Sequence, residues 1–250
     1  MDAGRLRRTR NALACAAALA VLAGCARAAT SAPAAATPAA VSSSDIYVDM
    51  YRKLKPSMVL FTMDVPADDP KRKGAFDEAY GSGIVVQSGD WGSRILTDAH
   101  VVQDARHIEA RIGDAGKAAA RVVAVSNDHD DVAILETAIR RVPAVRLGTS
   151  RGLEAGRPIG VMGYPIPDAF EDEHLGTKVS IYAGRIASVR NGSLELDVPI
   201  IPGESGGPVF EAGGGTIVGI AESRFDEERA IGFATPIDVA AKFLAAHEHK

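Results

Sequence analysis

The sequence predicts an all-β protein, either a barrel or a sandwich, built from about twelve short strands. Short apolar runs recur at regular spacing after Pro56, and Gly, Pro, Asn and Asp cluster between them. Residues 46–54 and 237–247 are the segments with the apolar periodicity of helices. The pattern therefore indicates a β-fold with a C-terminal helix, and it does not show the alternation of strands and helices typical of a parallel α/β sheet.

The predicted strands fall into two sets of six. The first set comprises residues 58–63, 83–87, 94–97, 107–112, 120–125 and 132–136. The second set comprises residues 158–163, 179–189, 193–198, 208–211, 216–222 and 230–235. The dipeptide Asn191-Gly192 joins two strands of the second set and predicts a tight hairpin turn. Residues 140–147 have no strand pattern and lie between the sets, so they are the predicted boundary between two halves.

The N-terminus has the pattern of an export signal. Residues 1–10 hold four arginines and one aspartate, and residues 12–23 form an apolar run shorter than the roughly 20 residues that span a bilayer. The run ends in the letters LAGC, which resemble the lipobox of bacterial lipoproteins. This resemblance implies cleavage before Cys25 and attachment of a lipid to its thiol. Ordinary secretion, with cleavage after Ala28, and an uncleaved anchor are the alternatives.

This processing divides the chain into four predicted segments. Residues 1–24 are the signal peptide, and residues 25–44, rich in Ala, Ser, Thr and Pro, have too little large apolar surface to fold and are predicted to be a disordered tether. The folded protein is predicted to have an N-terminal half over 45–142 and a C-terminal half over 143–250. We expect an exported protein of the cell envelope, lipid-anchored and facing the periplasm, or alternatively soluble in the periplasm or secreted.

The composition excludes several classes of protein. The 250 residues are 46% hydrophobic and 24% charged, as in globular proteins. The formal net charge of −4 argues against a nucleic-acid partner, because an extended nucleic-acid surface needs clustered Lys and Arg. The two cysteines are too few for a disulfide-rich scaffold, and Cys15 lies inside the predicted signal peptide.

Three motifs carry the groups that nucleophilic catalysis requires. The motif TDAHVV places His100 at the end of a strand, DVAIL places Asp131 at the start of another, and PGESGGP places Ser205 in a glycine-rich loop. A serine hydroxyl becomes an effective nucleophile when an imidazole takes its proton and a carboxylate orients that imidazole. The glycines allow backbone N–H groups to converge on the oxyanion that forms during acyl transfer.

These motifs resemble those of the chymotrypsin-like serine proteases, and most closely their bacterial HtrA (Deg) branch. The order His, Asp, Ser is the same, and further matches are GSG at 81–83, GI at 219–220 and IGFATP at 231–236. The resemblance covers about residues 56–244. It implies two six-stranded antiparallel β-barrels, with the active site in the cleft between them.

The resemblance also implies a role for each site residue. His100 is the general base, Asp131 orients it, Ser205 is the nucleophile, and the backbone N–H groups of Gly203 and Ser205 form the oxyanion hole. The implied activity is that of a serine endopeptidase acting on protein or peptide substrates, with no cofactor and no metal. The sequence leaves the oligomeric state undefined.

The sequence departs from this branch at several points. Glu204 stands where the branch has Asn and the digestive proteases have Asp, and its side chain either disturbs the oxyanion loop or points to solvent. Pro199 stands where enzymes that cleave after Arg or Lys carry an Asp. Together with Val198 and Ile200, it predicts a preference for a small or medium apolar residue before the scissile bond. No PDZ domain is expected, because the chain ends soon after Leu244.

The same residues also have alternative interpretations. A catalytically silent binding or chaperone-like module on the same fold is the alternative function; the intact triad argues against it, while Glu204 keeps it open. The letters GESGG also fit the nucleophile elbow of α/β-hydrolases, but that fold needs the order Ser, Asp, His and a helix that Pro208 disfavours. Asp128 and Asp130 compete with Asp131, which alone directly precedes the apolar strand. No metal site is predicted from the remaining histidines, which are His107, His129, His174, His247 and His249.

Overall fold

The structure, a computed structural model, describes residues 43–126, 129–222 and 231–248. The predicted signal peptide, nearly all of the predicted tether and the predicted lipid attachment at Cys25 lie outside these residues, as do Asp128 and His249. None of the described helices is long and apolar enough to cross a bilayer.

Two closed antiparallel barrels of six strands each make up the fold, which confirms the predicted all-β class. The first barrel has the strand order β1-β2-β3-β6-β5-β4 and the second has the order β10-β11-β12-β9-β8-β7. The first contains β1 (Met58–Pro66), β2 (Phe76–Gly89), β3 (Gly92–Thr97), β4 (Arg106–Ile112), β5 (Lys117–Val125) and β6 (Ala133–Thr137). The second contains β7 (Pro158–Gly163), β8 (Ser180–Arg190), β9 (Ser193–Leu196), β10 (Pro208–Glu211), β11 (Ile217–Glu222) and β12 (Gly232–Pro236).

Strand periodicity distributes the apolar residues among three cores. Successive side chains of a strand point to opposite faces, so β1 directs Val59 and Phe61 into the first barrel and Met58 and Leu60 out of it. The outward pair joins an apolar cluster shared with the second barrel, where Phe210 of β10 is fully buried. The third core fills the second barrel. The shared cluster fixes the two barrels against each other.

Four α-helices accompany the barrels in the described part of the chain. They are α1 (Ser43–Leu54), α2 (Ala99–Val102), α3 (Pro167–Asp172) and α4 (Ile237–Ala246). The sequence predicted α1 and α4, whereas α2 and α3 are too short for apolar periodicity to reveal them. Although α1 precedes the first barrel in the chain, it packs on the second. The Tyr47 hydroxyl donates to the Ile159 carbonyl at 3.2 Å, and the Tyr51 hydroxyl donates to the Val179 carbonyl at 3.4 Å.

Candidate active site

His100 and Asp131 meet at the ends of two neighbouring strands of the first barrel. His100 lies in the four-residue helix α2 that follows β3, and Asp131 comes shortly before β6, which pairs with β3. The His100 ring Nδ1 lies 2.7 Å from Asp131 Oδ2, and the His100 backbone N–H donates to Asp131 Oδ1 at 2.9 Å. The carboxylate therefore contacts both the ring and the backbone of one residue, and this fixes the orientation of the imidazole.

The backbone around Asp131 is held in an uncommon conformation. Asp131 has a φ of +45°, in the left-handed region that residues other than Gly adopt infrequently and Asp tolerates better than most. Ser126 fixes Val132, the residue after Asp131. The Ser126 N–H donates to the Val132 carbonyl and the Ser126 hydroxyl accepts from the Val132 N–H, each at 2.8 Å. Such a conformation persists where the surrounding bonds determine it, as they do here.

The Asp131 carboxyl is ionised at neutral pH. Burial on its own raises the pKa of Asp131. The hydrogen bonds from the ring and backbone of His100, the charge of His100 and the N–H of Ala99 outweigh burial, so that the pKa lies below its ordinary value. A charged carboxylate is the form that stabilises an imidazolium.

Ser205 lies in the loop between β9 and β10, and this loop is bonded to the first barrel. The Ser205 carbonyl accepts from the N–H of Ser82 in β2 at 2.8 Å. The N–H of Gly206 donates to Asp98 Oδ2 at 2.9 Å, and Asp98 lies two residues before His100. The loop that carries Ser205 is therefore tied directly to the segment that carries His100.

Residues 201–204 form a tight turn immediately before Ser205, which we call the 201–204 turn. The Glu204 N–H donates to the Ile201 carbonyl at 3.0 Å across the turn. Pro202 and Gly203 occupy its central positions, and Gly203 has a φ of +90°. Proline followed by a residue with positive φ defines a type II turn.

Hydrogen bonds from two other segments anchor the 201–204 turn. The Pro202 carbonyl accepts from the Ile166 N–H at 2.8 Å. The Gly203 carbonyl accepts from the Ser82 hydroxyl at 2.6 Å, and that hydroxyl in turn accepts from the Tyr164 N–H at 2.9 Å. Both central carbonyls are thus bonded to protein, whereas the Gly203 N–H has no acceptor among the described residues.

Comparison with known protein families shows which family has a sequence similar to this chain. The trypsin-like peptidase domain family matches residues 81–220, more than half of the chain, and the match includes His100, Asp131 and Ser205. The chain belongs to the trypsin-like peptidase family.

Relatives within this family are periplasmic proteases by name. A probable periplasmic serine endoprotease of DegP-like type from Pseudomonas fluorescens is 33% identical over 181 residues, which are 70% of this chain and 36% of the relative. A relative with the same description from Hahella chejuensis is 32% identical over 69% of this chain and 36% of its own length. The chain therefore spans about a third of the length of these curated relatives.

Solved structures show the same fold. The HtrA-type protease AlgW with a tripeptide has a TM-score of 0.65 at 24% identity, covering 80% of this chain and 62% of that one. The serine endoprotease from Yersinia pestis has a TM-score of 0.62 at 27% identity, covering 80% of this chain and 65% of that one.

Glu204 is a buried residue immediately before Ser205 in the site of this trypsin-like peptidase. The residue has no exposed surface, its Oε2 accepts from the Ile201 N–H at 3.1 Å, and the Tyr182 hydroxyl of β8 interacts with the same carboxyl. The expectation that Glu204 points to solvent is therefore wrong, because its side chain folds back beneath the 201–204 turn. Burial raises the pKa of Glu204 to about 7, against the lowering effect of the bonds from Ile201 and Tyr182.

Asp98 is a site residue that the sequence analysis did not identify. Its carboxyl is fully buried and holds the Gly206 N–H. Asp98, His100 and Asp131 are the described set whose potential metal-ligand atoms all lie within 4.8 Å of one another. His100 is hydrogen-bonded to Asp131, and Asp98 accepts from the Gly206 N–H. The absence of a metal stays a prediction.

Ser82 and Tyr182 were also missed. Ser82 belongs to the quoted GSG motif, where a serine between two glycines in an apolar strand was the available signal. Tyr182 gave no signal, because the pairing of β7 with β8 and the path of the loop bring it to Glu204.

Proposed function

We propose that this chain is a serine endopeptidase that cleaves peptide bonds through an acyl-enzyme intermediate. His100 is the general base, Asp131 orients it and Ser205 is the nucleophile. The observation that carries the proposal is the double hydrogen bond from His100 to Asp131, placed beside a loop that holds Ser205 against the same barrel. The names of the DegP-like relatives support the same activity.

The reaction proceeds in two acyl transfers. His100 removes the proton of the Ser205 hydroxyl as Oγ attacks the substrate carbonyl, and a tetrahedral oxyanion forms. His100 then gives this proton to the departing amine, which breaks the peptide bond and leaves an acyl ester on Ser205. Water, deprotonated by His100, attacks the ester and releases the acid, and the proton returns to Ser205.

The 201–204 turn supports the assignment of the oxyanion hole to the backbone N–H groups of Gly203 and Ser205. The type II geometry directs the Pro202 carbonyl toward Ile166 and leaves the Gly203 N–H on the opposite side of the peptide plane. Donors fixed before the reaction stabilise the oxyanion without reorganisation, which is the largest single contribution in many enzymes. Removing one such donor typically lowers kcat by about 10²–10³-fold.

The substrate preference we propose is a small or medium apolar residue before the scissile bond. Pro199 is exposed, while its neighbours Val198 and Ile200 are buried. A Cβ at Gly232 would lie 2.8 Å from Ile200 Cγ1, so the backbone of β12 approaches this apolar segment closely. Val198, Pro199 and Ile200 supply no carboxylate that could pair with a cationic side chain of a substrate.

Labelling with a fluorophosphonate tests the proposal. The folded wild-type protein should be labelled at Ser205 and should hydrolyse an apolar peptide library, and Ser205→Ala should abolish both. Ser188→Ala, a substitution on β8 outside the site, is the matched control and should retain both. Absence of labelling in folded wild-type protein would overturn the protease assignment and favour the catalytically silent binding module.

We also propose that the protein is exported to the periplasm and anchored by lipid at Cys25. The periplasmic names of the relatives support export, and the letters LAGC support the anchor. The proposed segments are a signal peptide over 1–24, a tether over 25–44 and barrels over 45–142 and 143–250. Cys25→Ala should abolish metabolic incorporation of a labelled fatty acid, whereas Cys15→Ala should retain it. Incorporation that survives Cys25→Ala would contradict the anchor.

A further inference from the structure

The buried carboxyl of Glu204 is a titratable group that the proposed mechanism does not use. It is completely enclosed, although it belongs to the turn that carries the Gly203 N–H. Its Oε2 accepts one backbone hydrogen bond, and its Oε1 is buried with no hydrogen-bond partner among the described residues. A carboxylate in such a position loses most of its hydration and gains little in return.

The groups that face the carboxyl do not neutralise its charge. Tyr182 of β8 contributes a hydroxyl, Ile201 of the same turn contributes an N–H, and the β7 side contributes Gly163, which has no side chain. No Lys, Arg or His among the described residues contributes to the shift of the Glu204 pKa. Ionisation therefore favours any arrangement in which the carboxyl reaches water.

The 201–204 turn is the element that must move to hydrate the carboxyl. The other walls are β7, where a Cβ at Gly163 would lie 2.9 Å from Glu204 Cα, and β8, which carries Tyr182; both strands are paired on both sides within the barrel. The side chain of Glu204 closes its own turn through Ile201, so its withdrawal removes a bond from that turn. The displacement would carry the neighbouring Gly203 N–H with it.

We propose that Glu204 is a positioning residue whose neutral carboxyl holds the 201–204 turn, and with it the Gly203 N–H, in the closed arrangement, and that ionisation of Glu204 loosens this turn. The inference rests on the proposed function in that the turn is assigned to the oxyanion hole. It makes kcat sensitive to Glu204 and leaves KM largely unaffected, because the oxyanion forms only during the reaction.

The stability of the closed 201–204 turn depends on pH because closing the turn is linked to proton binding by Glu204. The closed turn raises the pKa of Glu204 from 4.5 to about 7, so the closed arrangement binds the proton more tightly than an open one. Protonated Glu204 stabilises the closed turn fully below its ordinary pKa of 4.5. This stabilisation declines as the pH rises toward 7, and above about 7 the stability of the turn no longer changes with pH. A shift of this size limits the change in the open-to-closed equilibrium to about 300-fold.

The experiment compares kcat and KM of the wild type and Glu204→Gln across this pH range at constant ionic strength. The glutamine keeps the shape of a neutral carboxyl and cannot ionise, and the titration of His100 is common to both proteins. The ratio of the wild-type kcat to the Glu204→Gln kcat should fall at least about threefold between about pH 5.5 and pH 8 and then level off, with an unchanged ratio of KM values. A kcat ratio that does not vary with pH would overturn the inference.

Two further variants sharpen the test. Tyr182→Phe removes the hydroxyl whose interaction lowers the pKa of Glu204, so the inflection of its kcat ratio to Glu204→Gln should move to higher pH. Glu154→Gln, an exposed carboxyl on the same barrel, should give a flat ratio to the wild type.

A stability measurement separates failure of this inference from failure of the proposed function. The thermal midpoint of the wild type relative to Glu204→Gln should decrease as the pH rises from about 4.5 to about 7, whether or not the protein hydrolyses peptides. Loss of labelling and hydrolysis at every pH with this decrease intact would remove the protease assignment and retain the buried neutral carboxyl. A constant difference in midpoint would remove the role of Glu204 even in an active protease.

Discussion

The hydroxyl of Ser82 donates a 2.6 Å hydrogen bond to the carbonyl of Gly203, so a strand of the first barrel holds the turn that precedes Ser205 in the second. The same oxygen accepts from the Tyr164 N–H at 2.9 Å. One buried side chain therefore satisfies two backbone groups of the second barrel. The barrels that supply His100 and Ser205 are aligned by this contact as well as by the apolar cluster between them.

Substitution of Ser82 by Ala should disturb the 201–204 turn. The change leaves the Gly203 carbonyl and the Tyr164 N–H without a buried partner, which typically costs about 1–3 kcal/mol for each such group. We expect at least a tenfold fall in kcat, roughly 1.4 kcal/mol in activation free energy, with a smaller change in KM. Steady-state kinetics measures the changes in kcat and KM, and the rate of fluorophosphonate labelling measures the reactivity of Ser205.

Ser93→Ala is the matched control for Ser82→Ala. Ser93 is buried in the first barrel, and its hydroxyl donates to the Ile139 carbonyl at 2.6 Å, remote from the turn. It should lower the free energy of unfolding by a similar amount and leave kcat near the wild-type value. Equal losses of kcat in the two variants would show that general destabilisation, and not the turn, is responsible.

Gly206 and Gly152 form a second matched pair. Both have positive φ, +86° and +72°. A Cβ at Gly206 would lie 2.0 Å from Thr97 Oγ1, whereas nothing lies within 4 Å of a Cβ at Gly152. Gly152→Ala should cost about 1 kcal/mol from backbone strain alone. Gly206→Ala should cost more than about 3 kcal/mol, because the clash adds to the same strain.

Denaturant unfolding with labelling of Ser205 distinguishes these two glycines. Gly152→Ala should be labelled at the wild-type rate, and Gly206→Ala should be labelled slowly or not at all. Similar unfolding free energies for the two variants would contradict the close approach of the Ser205 loop to the first barrel.

Asp98 provides a buried acceptor for the loop that carries Ser205. The Gly206 N–H is shared between Asp98 Oδ2 and the Ala221 carbonyl, each at 2.9 Å. Asp98→Asn keeps an oxygen in place and should retain kcat within about threefold, whereas Asp98→Ala removes one acceptor and should lower kcat about tenfold. Peptide hydrolysis at saturating substrate measures both. Equal losses in the two variants would mean that the charge of Asp98, which both substitutions remove, matters more than its hydrogen bond.

The spacing of apolar runs and turn residues predicted the limits of the buried strands well. Buried strands such as β7 and β10 are bounded by turn residues, and their limits follow the sequence pattern residue by residue. β2 extends well beyond its predicted limits, because its first half pairs with β1 and includes the exposed Glu78. Pairing with a neighbour, and not the local apolar pattern, determines the ends of such a strand.

The sequence predicted the motif residues of the site, but it did not predict the hydrogen bonds that connect them to other segments. The motifs located His100, Asp131 and Ser205, whose types and order support the proposed chemistry. Ser82 and Tyr182 act on the 201–204 turn across large separations in sequence, which a one-dimensional pattern does not record. The direction of the Glu204 side chain depends on the space beside Gly163, so it required the folded structure.

The pairing of His100 with Asp131 gives the last prediction, the acid dependence of stability. The lowered pKa of Asp131 means that the folded state holds its carboxylate more firmly than the unfolded chain does. This contribution is present above the ordinary pKa of 3.8 and is lost as the pH falls through the lower, folded value. Asp131→Asn lacks this contribution to stability. The kcat of this variant should also fall about 10³–10⁴-fold, because the tautomer of His100 is no longer fixed.

Urea unfolding at a series of pH values measures this contribution. The free energy of unfolding of the wild type minus that of Asp131→Asn should be largest above about pH 4 and should shrink as the pH is lowered toward about 2. The loss at acid pH is opposite in sign to the effect of Glu204, whose raised pKa destabilises the folded state as the pH rises. Two carboxyls of the same site should therefore limit stability from opposite ends of the pH range. A difference that grows on acidification would contradict the ionised state of Asp131.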